Sequence, residues 1–293
     1  MHLPKASVLW LGIRPKTLTM SLMPVLVAFA LALSEQLSIN YLALATIILS
    51  ACAIQIATNL HNDAQDFINK TDTSARIGPL RITQAGLATA EETKNAAHLF
   101  IAIAALCGAY LVFVGGISIM MIGIVSLLAA YGYSSGPYPI SRSPFGEVFV
   151  LVFFGLIAVS VSYYLITGIW SQGTLTYGLI VGSPACAVLL LNNYRDLEND
   201  TTAGRKTLAI MIGSTGARWL YVLLILLPYP VLVSITPVSE LMILPFAGMI
   251  IAIIAIKKIL SVVEKTELNK CLVITAASQT VMSIGLSAYL VFS

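Results

Sequence analysis

The chain has 293 residues, of which 58% are hydrophobic and 10% charged, and its mean hydropathy is +0.91. A soluble domain carries about a quarter charged residues, so too few are present to cover a water-facing surface and the chain reads as an integral membrane protein. The formal net charge of +3 is too small to indicate a nucleic-acid partner.

A bilayer core takes about 20 apolar residues per helix. That length picks out nine spans, at roughly 17–34, 42–63, 95–115, 117–134, 147–169, 174–195, 216–236, 240–258 and 270–291. The expected fold is all-α, a polytopic bundle of nine transmembrane helices forming one domain over 1–293. Ahead of the first span stand Arg14, Pro15 and Lys16, an ordinary basic anchor that could also meet a phosphate or a carboxylate. Ala30, Leu31 and Ala32 resemble a small-residue cleavage site, but many more spans follow, so no removed export signal is expected. Cys52, Cys107, Cys186 and Cys271 lie inside apolar runs and read as small buried hydrophobes, not as a disulfide framework or zinc site. The Gly115–Gly116 pair marks a tight turn between the third and fourth spans.

Charge placement orients the bundle. Lys5, Arg14 and Lys16 precede span one, and Lys70, Arg76, Arg81 and Lys94 follow span two. Arg142 follows span four, Arg195, Arg205, Lys206 and Arg218 follow span six, and Lys257, Lys258, Lys265 and Lys270 follow span eight. These are all 16 of the Lys and Arg residues, whereas the opposite loops hold only Glu35 and Glu240. The positive-inside rule then puts the N-terminus in the cytoplasm and the C-terminus outside. Two interior loops are long, at about 65–94 and 196–215, and carry most of the polar residues, which marks them as functional.

The first loop grows out of span two with Asn59, Asn62, Asp63 and Asp66, at spacing i, i+3, i+4, i+7. On a helix that is one stripe. Asn192, Asp196 and Asp200 form a second stripe if the helix of span six continues past the membrane edge. Four spans separate the two, which reads as a parallel repeat of a four-helix unit plus one helix. Neighbouring carboxylates repel unless a cation lies between them, and Mg²⁺ takes oxygen ligands from one or two carboxylates plus substrate phosphate. Asp63, Asp66, Asp196 and Asp200 are therefore the expected Mg²⁺ ligands and catalytic acids. Asn59, Asn62, Lys70, Arg76, Arg81, Arg195, Arg205 and Lys206 surround them as expected diphosphate contacts, arginine being suited to bidentate phosphate binding. The plain alternative, a solvated rim of surface ion pairs, explains one Asp pair but not two stripes with amides beside each acid. Gly78, Pro79 and Gly86 turn the first loop, so that Arg76 and Arg81 can fold back. Tyr131, Tyr133 and Tyr138 stand at the interior end of span four, either as interfacial belt residues or as aromatic faces for a developing carbocation. Arg14, Tyr133, Tyr138 and Asn192 are the expected acceptor contacts. Phe153, Phe154, Tyr163 and Tyr164 serve packing or a lipid-like tail groove. A secondary transporter also has polar midplane sites and repeats, but here the acids crowd one membrane edge beside arginines, which suits a diphosphate better.

At these residues the chain resembles a known family. NDAQD (Asn62–Asp66) and NNYRDLEND (Asn192–Asp200) resemble the two Asp-rich motifs of the UbiA superfamily of intramembrane prenyltransferases. RPKTL (Arg14–Leu18), the run Asn62–Arg81, Gln84-Ala85-Gly86 and NNYRDLENDTTAGRKTL look like the 1,4-dihydroxy-2-naphthoate polyprenyltransferase branch. The superfamily often places a third Asp where this chain has Lys70, with Asp72 beyond it, a shift similar to the naphthoate branch. The resemblance implies Mg²⁺-dependent transfer of a polyprenyl group from its diphosphate to the aromatic acceptor dihydroxynaphthoate, with loss of the acceptor carboxylate, in a bacterial inner membrane. A 4-hydroxybenzoate-like or homogentisate-like acceptor stays open.

Overall fold

The computed structural model describes residues 2–69, 80–261 and 267–293, apart from the side chains of Lys16 and Ser134. The helices in chain order are α1 (Ala6–Ile13), α2 (Pro15–Ser34), α3 (Tyr41–Ile68), α4 (Ala90–Ser134), α5 (Gly146–Val150), α6 (Ala158–Thr167), α7 (Gly173–Arg195), α8 (Leu197–Thr202), α9 (Leu208–Leu226), α10 (Pro228–Ile235), α11 (Ile243–Ser261) and α12 (Leu268–Phe292). A π-helical stretch, Leu151–Ile157, joins α5 to α6. The regular elements among the described residues are all helical.

Among the described residues eight segments are long and apolar enough to cross a bilayer: Thr17–Ser34, Tyr41–Ile68, Ala90–Tyr133, Gly146–Thr167, Gly173–Arg195, Leu208–Ile235, Glu240–Ser261 and Leu268–Phe292. The expected spans 95–115 and 117–134 fall together in α4, a helix of 45 residues in which only Gly116 leaves helical geometry, at φ 74° and ψ −161°. No proline or polar loop separates the two spans, and the two helical halves meet directly at Gly116. A straight helix of that length would run about 65 Å, twice a bilayer core. Yet both ends of α4 meet the same end of α3. Ala96 and Ala97 share an apolar cluster with Leu60. Tyr131 lies 5.0 Å from His61, whose Nε2 is 2.6 Å from Ser135 Oγ. The helix therefore doubles back at Gly116, where the positive φ favours a residue without Cβ.

Local chemistry sets the ends that matter. Asn40 caps α3 by accepting the Ala43 N–H at 3.0 Å, and nothing breaks the helix until Asn69, so Asn59, Asn62, Asp63 and Asp66 all stay on one helical face. Thr89 and Glu92 form a reciprocal capping box that starts α4. Arg14 adopts a left-handed conformation between α1 and α2, with Pro15 opening the next helix. The second stripe differs from the continuous helix expected: α7 ends at Arg195 and α8 begins at Leu197, with Asp196 at the joint. Hydrogen bonds still cross that joint, from Asp196 N–H to Asn192 O at 3.1 Å and from Asp200 N–H to Asp196 O at 2.8 Å. Asn192, Asp196 and Asp200 thus keep successive turns despite the break. Deeper in the bundle the π-helical stretch lies backbone to backbone on α7. A Cβ on Gly155 would stand 2.5 Å from the Gly178 carbonyl oxygen and 2.9 Å from Gly182 Cα.

Candidate active site

The bundle encloses a cavity of about 1270 Å³, with a polar end and an apolar body. Arg14, Asn59, Asn62, Arg81, Asn192 and Arg195 line the polar end, and Ile47, Leu111, Ile119 and Leu165 lie among its apolar walls. Tyr133, Phe149 and Phe153 line it as well. Their rings form a row, Tyr133 to Phe149 at 5.7 Å and Phe149 to Phe153 stacked at 4.4 Å.

The acids beside this cavity are paired, and all but the half-buried Asp196 are buried. Asp66 is held by Arg81 Nη1 at 2.7 Å and by Arg205 Nη2 at 3.0 Å. The same Arg205 reaches Asp200 Oδ1 with its Nε at 3.4 Å. One guanidinium therefore joins the first acidic stripe to the second. Arg81 also donates to the Asn62 carbonyl at 3.0 Å. Asp63, only 1% exposed, accepts the Ile82 N–H on Oδ2 at 3.0 Å and the Thr83 N–H on Oδ1 at 3.2 Å. Arg14 Nη2 stands 3.7 Å from Asp63 Oδ2. Arg195 donates to both oxygens of Asp196, at 2.9 and 2.6 Å, and to the side-chain oxygens of Asn192 and Asn269 at 2.8 and 2.9 Å. Buried charges are tolerated where they are paired and hydrogen-bonded, and Asp63 and Asp66 each keep more than one partner.

The arrangement gathers acids and arginines at one end of an apolar cavity. The model of the UbiA prenyltransferase family matches residues 21–280. The chain belongs to the UbiA prenyltransferase family. It is 35% identical over 213 residues to a 1,4-dihydroxy-2-naphthoate octaprenyltransferase from Bacillus subtilis (strain 168), covering 72% of this chain and 67% of that one. It is also 35% identical over 221 residues to the protein of the same description from Escherichia coli (strain K12), covering 71% and 70%. Among solved structures, the apo UbiA homologue from Aeropyrum pernix K1 superposes with a TM-score of 0.67 at 14% identity, over 91% of this chain and 96% of that one. A UbiA homologue from Archaeoglobus fulgidus bound to DMAPP and Mg²⁺ superposes at 0.58 with 16% identity, over 95% and 99%. The chain is thus a multi-pass membrane prenyltransferase of the UbiA family.

Within this UbiA-family fold, the residues expected at the site divide into three groups. Asp63, Asp66, Asp196, Asp200, Arg14, Arg81, Arg195, Arg205, Asn62, Asn192 and Tyr133 come together around or beside the polar end of the cavity. Asn59 lines it too, but its amide already donates to Ile13 O at 3.0 Å and Thr17 Oγ1 at 2.8 Å and accepts from Gln55 at 3.2 Å. It acts as a clamp between α3 and the α1–α2 joint. Two residues are not brought in. Tyr138 is 91% exposed, and Lys206 is exposed, with its backbone N–H bonded to Arg142 O at 2.9 Å. Lys70, Asp72, Arg76, Gly78 and Pro79 lie outside the described residues.

Several contributors had no motif to announce them. The Ile82 and Thr83 amides that hold Asp63 are backbone groups. Asn269, which shares Arg195, comes from the start of α12. Among the described residues no three His, Cys, Asp or Glu side chains converge as a self-contained metal cluster would.

Proposed function

We propose that this prenyltransferase transfers a polyprenyl group from its diphosphate to 1,4-dihydroxy-2-naphthoate, with loss of the acceptor carboxylate, yielding demethylmenaquinol. The observation that carries this reading is Arg205 joining Asp66 to Asp200 beside the polar end of a large apolar cavity. A charged head and a long hydrocarbon tail need such a divided site. The naphthoate acceptor is supported by the relatives of that description at 35% and 34% identity.

Mg²⁺ fits the donor set. The acids offer oxygen alone, and Mg²⁺ usually takes one or two carboxylates and completes its shell with water and substrate phosphate. Asp66 and Asp200 would hold it, with Asp63 and Asp196 flanking them. When bound, it supplies charge neutralisation that makes the diphosphate a better leaving group. Arg14, Arg81 and Arg205 bind the diphosphate oxygens, and Arg195 keeps Asp196 and Asn192 in place. Lys70 and Arg76 complete the basic set. The apolar walls hold the tail and keep water away from the allylic carbon. Tyr133, Phe149 and Phe153 present aromatic faces to the developing allylic cation, and Arg14, Tyr133 and Asn192 meet the acceptor. The two halves of α4 act as separate crossings joined at Gly116, which makes nine crossings in one domain. The N-terminus and the site then lie in the cytoplasm and the C-terminus outside, as the distribution of Lys and Arg requires.

The test is a transfer assay on purified protein in lipid, with a polyprenyl diphosphate and dihydroxynaphthoate, 4-hydroxybenzoate or homogentisate. Prenylation of the naphthoate with release of CO₂, abolished by EDTA and restored by Mg²⁺, is expected. Alkylation of only a different acceptor overturns the assignment, and full turnover in EDTA removes the metal.

A further inference from the structure

Arg195 is 1% exposed, and an arginine can only donate hydrogen bonds. Its Nε and Nη2 meet the two oxygens of Asp196, so its charge is balanced within the protein. The rest of the guanidinium faces two carboxamides. Nη2 donates to Asn192 Oδ1 at 2.8 Å, and Nη1 donates to Asn269 Oδ1 at 2.9 Å. Asn192 belongs to α7 and Asn269 to the first turn of α12, so the pair exists only in the assembled bundle. These contacts settle which way each carboxamide points. A carboxamide has an acceptor end and a donor end, assigned from their hydrogen-bond partners. Arg195 offers N–H groups alone, so Oδ1 of each asparagine must face it; a flipped amide would set N–H against N–H. The NH₂ of each asparagine therefore points away from Arg195. Both asparagines are half-buried, and both line the cavity, as Arg195 does. An NH₂ group cannot ligate a cation, so these two donors lie outside any metal shell.

We infer that Asn192 and Asn269 form a donor pair for one anionic oxygen of the substrates, either the acceptor carboxylate or a diphosphate oxygen. Arg195 is the positioning residue that holds both amides with their NH₂ groups outward. For the acceptor this rests on the naphthoate reading above. Hydrogen bonds to an anion are the stronger kind, and donors fixed from behind need not turn when the anion arrives. Asn192 stands in the second Asp-rich stretch. Asn269 has no such neighbours in sequence and enters the site because α12 packs on α7.

The experiment uses the full chain in lipid with polyprenyl diphosphate, dihydroxynaphthoate and Mg²⁺, comparing wild type, Asn269→Asp and Asn269→Ala. Asn269→Asp is isosteric, keeps an oxygen on Arg195 and replaces the outward NH₂ by a second oxygen. Its unfolding midpoint should stay near wild type. The KM of one substrate should rise at least about tenfold, the scale of one hydrogen bond to a charged group, and the KM of the other should stay within about twofold. A rise confined to the naphthoate assigns the pair to the acceptor carboxylate. A rise confined to the prenyl diphosphate assigns it to the leaving group. Asn269→Ala should raise that KM less than Asn269→Asp, because water can stand in for the missing donor, but it should lower the midpoint by leaving an Arg195 N–H unpaired. If Asn269 merely held Arg195, Asn269→Asp would be silent and Asn269→Ala damaging. That order overturns the inference, and so does an equal rise in both KM values. Wild type that does not prenylate the naphthoate refutes the acceptor reading alone. Calorimetric binding of the polyprenyl diphosphate then decides: weaker binding by Asn269→Asp is expected, and binding equal to wild type overturns the donor pair.

Discussion

Replacing Asp63 by alanine should do more than remove an acid from a metal site. In this structure Asp63 is the anchor of the segment that follows α3. Its two oxygens accept the N–H groups of Ile82 and Thr83 at 3.0 and 3.2 Å, and all three residues are buried. A hydrogen bond to a charged group contributes about 1.5–3 kcal/mol, so losing two costs about 3–6 kcal/mol. The Arg14 contact is longer, at 3.7 Å, and Arg14 keeps 20% of its side chain exposed, so it adds little. At about 2 °C per kcal/mol for a chain of this size, the midpoint should fall by roughly 6–12 °C. Asp63→Asn keeps one acceptor oxygen and should lose about half as much. Unfolding can be followed in detergent with a thiol-reactive dye, because Cys107, Cys186 and Cys271 are buried and free. An Asp63→Ala protein that melts at the wild-type midpoint while losing activity would refute the anchor and leave Asp63 a ligand only.

Arg205→Ala removes the bridge between Asp66 and Asp200; the KM for the prenyl diphosphate should rise at least about tenfold, or ~1.4 kcal/mol, and Arg205→Lys should recover only part because it cannot span both acids. An unchanged KM counts against the bridge as a diphosphate contact. Gly155→Ala drives a Cβ to 2.5 Å from the Gly178 carbonyl, which should cost about 1–3 kcal/mol of stability by overpacking; an unshifted unfolding midpoint would show that the π-helical stretch yields without strain.

Much of this was legible in the chain itself, and for definite reasons. Apolar runs of bilayer length are local, so they mark the crossings wherever the backbone must satisfy its own hydrogen bonds. The stripe Asn59, Asn62, Asp63 and Asp66 follows from helical spacing alone and lies on α3 as a single face. The family membership was visible in the two Asp-rich motifs. Other features depend on groups far apart in sequence. Nothing in the pattern distinguishes Asp63, bound to the Ile82 and Thr83 amides, from Asp66, which meets Arg81 and Arg205. Tyr133 and Tyr138 look alike in sequence, yet one lines the cavity and the other is 91% exposed. Residues 95–134 read as two spans about a glycine turn, and the backbone leaves helical geometry at Gly116, where the chain doubles back. Helical periodicity determined which side chains share a face. Only the packing of α3, α5, α7 and α12 decided which of them meet, because burial and pairing are properties of the assembled bundle.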